Sequence, residues 1–223
     1  MGFPALIVAA GSGQRLGAGG PKALVPLCGR PLYAWSVDAF RVARSVDRVI
    51  VVVPPGKADE FTEPGIETVD GGEVRSESVA NGLRHLASGG SGDLIVVHDA
   101  ARPLVTPDLV DAAVEALQSA PDLDAVIAAA QVTDTIKRVG RDGTVEETLD
   151  RSVLISVQTP QVFRLGALER AIETGDLVAA TDDASLIEAA GGSVGVIEAP
   201  SGNIKVTVPG DLYLAARLLE PDN

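Results

Sequence analysis

Short apolar runs recur along the chain at Ala5–Ala9 (ALIVA), Arg48–Val53 (RVIVVV), Asp93–Val97 (DLIVV) and Ala125–Ala130 (AVIAAA). Continuous rather than alternating runs of this length are expected of strands covered on both faces of a parallel sheet. Helical spacing fills the gaps. Pro31–Arg44 sets Leu32, Trp35, Ala39 and Val42 on one stripe, and Val74–Ala87 does the same with Val79, Leu83 and Leu86. Pro107–Gln118 begins with Pro at the first helical position after Thr106, a good N-cap. Strands alternating with helices predict right-handed βαβ units and a three-layer α/β sandwich.

The pattern changes after residue 130. Thr135–Val139 and Thr144–Leu149 alternate polar and apolar positions around Gly140-Arg141-Asp142-Gly143, a hairpin pattern with Asp-Gly at the turn. It is too polar to be buried on both faces, so it reads either as an arm projecting toward a partner subunit or as a plain solvent-exposed hairpin. Farther on, Arg164–Thr174 and Asp182–Ala190 read as helices, Ser193–Glu198 and Asn203–Val208 as strands, and Pro209–Leu219 as a closing helix. No linker, repeat or charge block divides the chain, which predicts one domain over residues 1–223 with an arm at about 133–152.

Composition narrows the function. The chain has 223 residues, 18 basic against 31 acidic, for a formal charge of −13. A polyanion such as duplex DNA would meet net repulsion, so nucleic acid is not expected as a partner, and any phosphate must be held by a few local cations. Cys28 is the sole cysteine, which excludes an intrachain disulfide framework and points to a reducing, cytoplasmic setting. The start MGFPALIVAAG lacks a basic leader and breaks at Gly11, so it reads as a first strand, and no segment approaches the roughly 20 apolar residues of a membrane span.

Candidate chemistry begins where the first strand runs into Ala9-Ala10-Gly11-Ser12-Gly13-Gln14-Arg15-Leu16-Gly17, then Ala18-Gly19-Gly20-Pro21-Lys22. Glycines directly after a strand let the backbone pass close to a ligand, and successive N–H groups there make an anion cradle. The dinucleotide fingerprint fails, because Leu16 stands where its third glycine belongs and Val53-Pro54-Pro55 replaces the acidic end of the second strand. The Walker A loop fails too, since Pro21-Lys22-Ala23 lacks the Ser or Thr after Gly-Lys. What remains is a Gly-rich turn with Arg15 and Lys22 at its ends, suited to a triphosphate, with a flexible loop carrying two solvated cations as the plain alternative.

A second cluster, Val96-Val97-His98-Asp99-Ala100-Ala101-Arg102-Pro103, lies at the carboxyl end of a strand, where open parallel sheets bind ligands. Asp99 is placed there to coordinate Mg²⁺ directly or through water, or else to cap a turn. His98 and His85 read as structural. Asp70–Ser78, Thr133–Arg138, Gln158–Gln161, Thr181–Ser185 and Asn203–Thr207 add polar side chains from several segments, as a substrate cleft requires.

Taken together, AAGSGQRLG, PK, DGG, VHDAARP, TDTIKR, QTPQ, TDDAS and NIKVT, in this order over nearly the whole chain, resemble the 2-C-methyl-D-erythritol 4-phosphate cytidylyltransferases. The resemblance implies a GT-A-like, Rossmann-related nucleotidyltransferase fold. It also implies transfer of CMP from CTP to the 4-phosphate of methylerythritol phosphate, with release of pyrophosphate and with Mg²⁺ on the triphosphate. It would place Ala9, Ala10, Gly11, Ser12 and Gly13 on the nucleotide and Arg15 and Lys22 on phosphates. Gly72, Glu73 and Ser78 would face cytosine, with Ala100 near the ribose. Asp99 would lie beside Mg²⁺ and substrate, Lys205 at the reacting phosphates, and Thr181 close to the sugar phosphate. The family is dimeric with the arm reaching into the neighbouring site, which assigns Thr135 and Arg151 to the partner's substrate.

Val8 stands where many members carry Pro, Ala23-Leu24 where Gln and an aromatic are common, and Glu73 where Asp is frequent; a loop absorbs the extra methylene, so cytosine remains the expected base. Ribitol-5-phosphate cytidylyltransferases share the fold, the glycine loop and the Asn203–Thr207 segment. Ala100-Ala101 after Asp99 and Thr181–Ser185 before a helix favour methylerythritol phosphate. A non-catalytic nucleotide-binding regulator would have lost a phosphate-handling charge, whereas Arg15, Lys22, Asp99 and Lys205 are all present. Lys137 either serves a site or simply sits on the arm.

Overall fold

A computed structural model describes residues 2–17, 19–87 and 93–220, so Ala18 of the glycine loop and both extremes of the expected 1–223 domain lie outside the described residues. In chain order the elements are β1 (Phe3–Val8), the short pair β2 (Pro26–Leu27) and β3 (Arg30–Pro31), α1 (Leu32–Val42), β4 (Val46–Val53), β5 (Glu67–Asp70), α2 (Arg75–Ala87), β6 (Leu94–Asp99), α3 (Pro107–Gln118), β7 (Ala125–Gln131), β8 (Lys137–Val139) and β9 (Val145–Thr148). They continue with β10 (Ile155–Arg164), α4 (Leu165–Thr174), α5 (Asp183–Ala189), β11 (Val194–Glu198) and α6 (Pro209–Leu219).

Seven strands form one sheet in the order β11-β7-β10-β6-β1-β4-β5. All neighbours are parallel except β10, which runs antiparallel to both β6 and β7. The apolar runs explain the layering. Successive side chains of a strand point to opposite faces, so Ala5 and Ile7 of β1 pack with Tyr33, Val37 and Phe40 of α1 and Val110, Val114 and Leu117 of α3. Leu6 between them packs on the other face, with Val79, Leu83 and Leu86 of α2, Leu168 of α4 and Ile187 of α5. Each fully buried Val, Leu, Ile or Phe among them contributes about 1.5–3 kcal/mol relative to exposure. The result is a three-layer α/β sandwich with helices on both faces.

The ends of the elements follow from local chemistry. Thr106 caps α3 by accepting from Leu109 N–H, ahead of Pro107. Asp182 and Ser185 form a reciprocal capping box on α5. Val42, the last residue of α1, departs from the expected buried stripe and is 70% exposed.

The largest departure is Asn203–Val208, which is irregular rather than a strand. Its Val206 N–H donates to Ala101 O at 2.8 Å, but the Asn203 amide reaches Gln158 Oε1 and the Thr159 carbonyl, so side-chain bonds rather than a ladder hold the segment. The expected hairpin is present as β8 and β9, paired Lys137↔Thr148 and Arg138↔Glu147, with every residue of both strands exposed. Its turn is held by Asp142, which accepts from Thr144 N–H and Oγ1 at 3.0 and 2.7 Å.

Candidate active site

From β1 the chain crosses through α1 to β4 on one side, whereas β6 lies against β1 on the other. The carboxyl ends of β1 and β6 therefore flank a switch point of the sheet, the place where open α/β sheets leave a crevice. The loop after β1 closes on itself through Lys22 N–H to Gly11 O at 3.0 Å. Gly13 sits at φ +70°, and a Cβ there would meet Gly20 O at 3.0 Å and the Lys22 Cα at 3.1 Å, so the tight return to Lys22 needs a glycine. The turn Gln14–Leu16 then drives Leu16 into an apolar cluster with Leu27, Leu32, Val206 and Ala215. That anchor leaves Arg15 on the cleft side.

Opposite this loop, the turn after β5 is held by Ser78, whose hydroxyl accepts from Gly72 N–H and donates to Val74 O, both at 3.1 Å. Glu77 accepts from Glu73 N–H at 2.8 Å, while the Glu73 side chain itself is exposed. A Cβ on Gly71 would meet Ala10 Cβ at 2.7 Å, so the two loops approach as closely as a glycine permits. Between them lies a cleft of about 640 Å³. A second cleft of about 380 Å³ opens beside it, among residues of β10 and the start of α5 that include Gln158, Gln161, Thr181 and Asp182. Arg75, Asp99 and Lys205 line both.

At this shared wall Asp99 is gripped from two directions. Arg75 Nε donates to Asp99 Oδ1 at 2.9 Å and Lys205 Nζ to Oδ2 at 2.6 Å. Burial opposes the Asp99 charge, but Arg75 and Lys205 outweigh it and hold the carboxyl far below the usual carboxylate range. Arg75 reaches on to Asp183 Oδ2 at 2.5 Å. Burial of Asp183 raises its pKa, and the Arg75 guanidinium offsets part of that. Lys22 has its pKa pushed down to about 8, first by burial and then by the nearby Lys205 and Arg15. Cations thus converge on the larger cleft in a chain whose formal charge is −13.

His98 is fully buried behind Asp99 and packs on Phe40 at 5.0 Å between ring centroids. The Asp99 N–H donates to Thr159 Oγ1 at 3.1 Å, so the Thr159 hydroxyl is free to donate to His98 Nδ1 at 2.9 Å. Nε2–H then points to Arg102 O at 3.2 Å. Burial pushes the imidazole pKa down to about 3, so the ring is neutral and structural. Arg102 in turn donates to Asn203 O at 2.8 Å and Val157 O at 3.2 Å, tying the Asn203–Thr207 segment to β10.

The structure places Ala9, Ala10, Gly11, Ser12, Gly13, Arg15, Lys22, Gly72, Glu73, Ser78, Asp99, Ala100 and Lys205 around the larger cleft, and Thr181 beside the smaller one. Thr135 and Arg151 line neither cleft. Both are exposed at the base of the arm, where Arg151 donates to Thr133 O. The sequence places Arg75, Gln158, Gln161 and Asp183 within segments expected to line a cleft but singles out none of the four for an individual role. Among the described residues no group of three His, Cys, Asp or Glu side chains converges to hold a metal ion.

The family model for 2-C-methyl-D-erythritol 4-phosphate cytidylyltransferase matches residues 3–221. A protein of that name from Synechococcus elongatus is 43% identical over 226 residues, covering 96% of this chain and 95% of the relative. One from Frankia casuarinae is 42% identical over 218 residues, covering 96% and 80%. Among solved structures, the cytidylyltransferase of that name from Francisella tularensis superposes with a TM-score of 0.83 at 32% identity, covering 98% of this chain and 100% of that one. Its counterpart from Thermus thermophilus gives 0.76 at 32% identity, covering 98% of each chain.

Proposed function

The chain belongs to the 2-C-methyl-D-erythritol 4-phosphate cytidylyltransferase family, and from that premise we propose how its residues divide the work. The enzyme transfers CMP from CTP to 2-C-methyl-D-erythritol 4-phosphate, giving 4-diphosphocytidyl-2-C-methyl-D-erythritol and pyrophosphate in isoprenoid precursor biosynthesis. An oxygen of the 4-phosphate attacks the α-phosphorus. The new O–P bond forms as the bond to the α,β-bridging oxygen breaks, and pyrophosphate leaves. No side-chain nucleophile is needed, so catalysis is positioning and electrostatic stabilisation of charge on the equatorial and leaving oxygens.

The observation that carries this reading is the pair of clefts meeting at one wall made by Arg75, Asp99 and Lys205. We assign CTP to the larger, with Arg15, Lys22 and the Ala9–Gly13 backbone on its triphosphate, Gly72, Glu73 and Ser78 around cytosine and Ala100 near the ribose. The sugar phosphate occupies the smaller, with Thr181 close to it and Lys205 at the junction, where the attacking and transferred phosphates meet.

Mg²⁺ fits this arrangement as an ion carried on the triphosphate. Both Asp99 oxygens already accept from cations at 2.9 and 2.6 Å, so Asp99 would face a hydrated ion through water. Bound there, Mg²⁺ would neutralise charge on the phosphate oxygens.

We take the chain as one cytidylyltransferase domain whose arm, at about 133–152, serves a second copy. Val139, Val145 and Val153 are 54%, 61% and 77% exposed, an apolar content that a free arm would leave in water. Thr135 and Arg151 would then complete the neighbour's sugar-phosphate site. Cytoplasmic placement accords with the exposed free thiol of Cys28; among the described residues no helix is long and apolar enough to cross a membrane.

The test is pyrophosphate release from CTP and Mg²⁺, with methylerythritol 4-phosphate and ribitol 5-phosphate compared on the same preparation. Turnover on the first is expected. Turnover on ribitol 5-phosphate alone would overturn the substrate, and CTP binding without turnover on either would mark a nucleotide-binding regulator.

A further inference from the structure

Asp183 is 0% exposed and lines neither cleft, yet it carries a charge partner that lines both. Arg75 Nη1 donates to Asp183 Oδ2 at 2.5 Å while Arg75 Nε donates to Asp99 Oδ1 at 2.9 Å. The other Asp183 oxygen, Oδ1, is buried with no hydrogen-bond partner among the described residues. A buried carboxylate with a single cationic partner holds that partner tightly, because letting go would leave an unpaired charge in a medium of low dielectric.

The planar guanidinium can serve two acids at once from one fixed orientation, which a lysine ammonium cannot do with the same geometry. Asp99 is thereby fixed on the side opposite Lys205. Lys205 is 42% exposed at its side chain, so its ammonium is placed by Asp99 rather than by burial. The charges alternate along Asp183, Arg75, Asp99 and Lys205, from a fully enclosed acid to a cation at the junction of the clefts.

We propose that Arg75, anchored by Asp183, is a positioning residue for the nucleotidyl transfer, orienting Asp99 and through it the Lys205 ammonium at the junction of the two clefts. The inference rests on the reading that Lys205 meets the reacting phosphates. It requires the effect of Asp183 to appear in turnover more than in CTP binding, because the anchor lies outside the nucleotide cleft. It also requires Asp183 to matter only while Lys205 is present.

The experiment compares wild type, Asp183→Asn, Arg75→Lys, Lys205→Ala and the Asp183→Asn/Lys205→Ala double variant. Steady-state kinetics with CTP and methylerythritol 4-phosphate are measured alongside CTP affinity by calorimetry and melting temperature. Asp183→Asn keeps the size of the side chain and one acceptor oxygen for Arg75 while removing the charge, so it reports even where Arg75→Lys fails to fold. The expected result is a fall in kcat of about 10- to 100-fold in Asp183→Asn and Arg75→Lys, with the CTP Kd of Asp183→Asn within about threefold of wild type. The double variant is expected within about twofold of Lys205→Ala alone.

A purely structural pair would lower the melting temperature and leave kcat per folded molecule within about twofold of wild type, which would overturn the proposal. So would losses that multiply in the double variant. A wild type that binds CTP but turns over neither sugar phosphate would remove the functional reading and the inference with it, whereas an active wild type with unaffected variants removes the inference alone.

Discussion

Lys205 Nζ meets Asp99 Oδ2 at 2.6 Å across 106 residues of sequence, joining the irregular segment before α6 to the end of β6. The pair sets a cation beside Asp99, the residue at the end of β6 that lines both clefts. In the proposed arrangement, replacing Lys205 by Ala removes a fixed positive charge from the point where phosphate oxygens would gain charge. Steady-state pyrophosphate release is expected to fall by about 10²–10³ in kcat, ~2.7–4 kcal/mol, by analogy with loss of one preorganised oxyanion donor. A change in KM for CTP with kcat unchanged would place Lys205 in ground-state binding instead.

If Lys22 holds the triphosphate as proposed, CTP affinity is expected to depend on pH. Its pKa of about 8 in the free protein means that the ammonium, half-buried and then crowded by Lys205 and Arg15, loses its proton as pH rises through 8. A triphosphate favours the charged form, so CTP binding is expected to take up protons near pH 8 and to weaken above it. Calorimetry at pH 8 in two buffers of different ionisation enthalpy reads this uptake directly, and Lys22→Arg is expected to abolish it.

His98 ties stability to pH in the acid range. Its pKa in the folded protein, about 3, lies below the unfolded value near 6.5, so between these limits the unfolded chain binds the extra proton. Stability is expected to fall as pH drops from 6.5 toward 3, by up to about 1.4 kcal/mol per pH unit from this one group. Urea unfolding at pH 7 and pH 5 measures it. His98→Gln is expected to flatten the slope and to cost about 1–3 kcal/mol at pH 7 through the broken link to Thr159.

The arm offers a test that needs two chains at once. Arg151→Ala and Lys22→Ala are each expected to be nearly inactive. If the arm completes its neighbour's site, mixed dimers of the two variants carry one site with both groups intact, so mixing after dissociation is expected to restore activity. Sedimentation as a monomer at micromolar concentration, or no recovery on mixing, would remove the role of Thr135 and Arg151 in the neighbouring site.

Much of the sandwich was legible because β1, β4, β6 and β7 are covered on both faces and read as unbroken apolar runs. Two strands of the seven-stranded sheet were not. β5, ETVD, is a four-residue edge strand with no apolar run of its own. In β10, Gln158, Thr159 and Gln161 interrupt the apolar signal, and the register shifts against β7 between Val157 and Gln161. Those polar residues are buried because they line the smaller cleft and bond to Asn203, His98 and Asp182. The reverse error at Asn203–Val208 has the same root: alternation and β-branched residues mimic a strand, while the side-chain bonds of Asn203 decide the path.

At the site, residues in glycine-rich or strand-end motifs stood out from sequence. Arg75 and Asp183 did not, since 108 residues separate them and each alone passes for the first turn of a helix. The run Thr181-Asp182-Asp183 held a signal, because Asp182 suffices as the cap of α5 and the second acid needs another reason.

Direct transfer across the Asp99 junction is tested most sharply by stereochemistry at the α-phosphorus. Turnover of a single diastereomer of CTP carrying sulfur on the α-phosphate, with methylerythritol 4-phosphate as acceptor, yields a product whose configuration phosphorus NMR can assign. A single in-line displacement predicts inversion. Retention would require two displacements through a nucleotidyl-enzyme, and would contradict an account in which no side chain of this protein bonds to phosphorus.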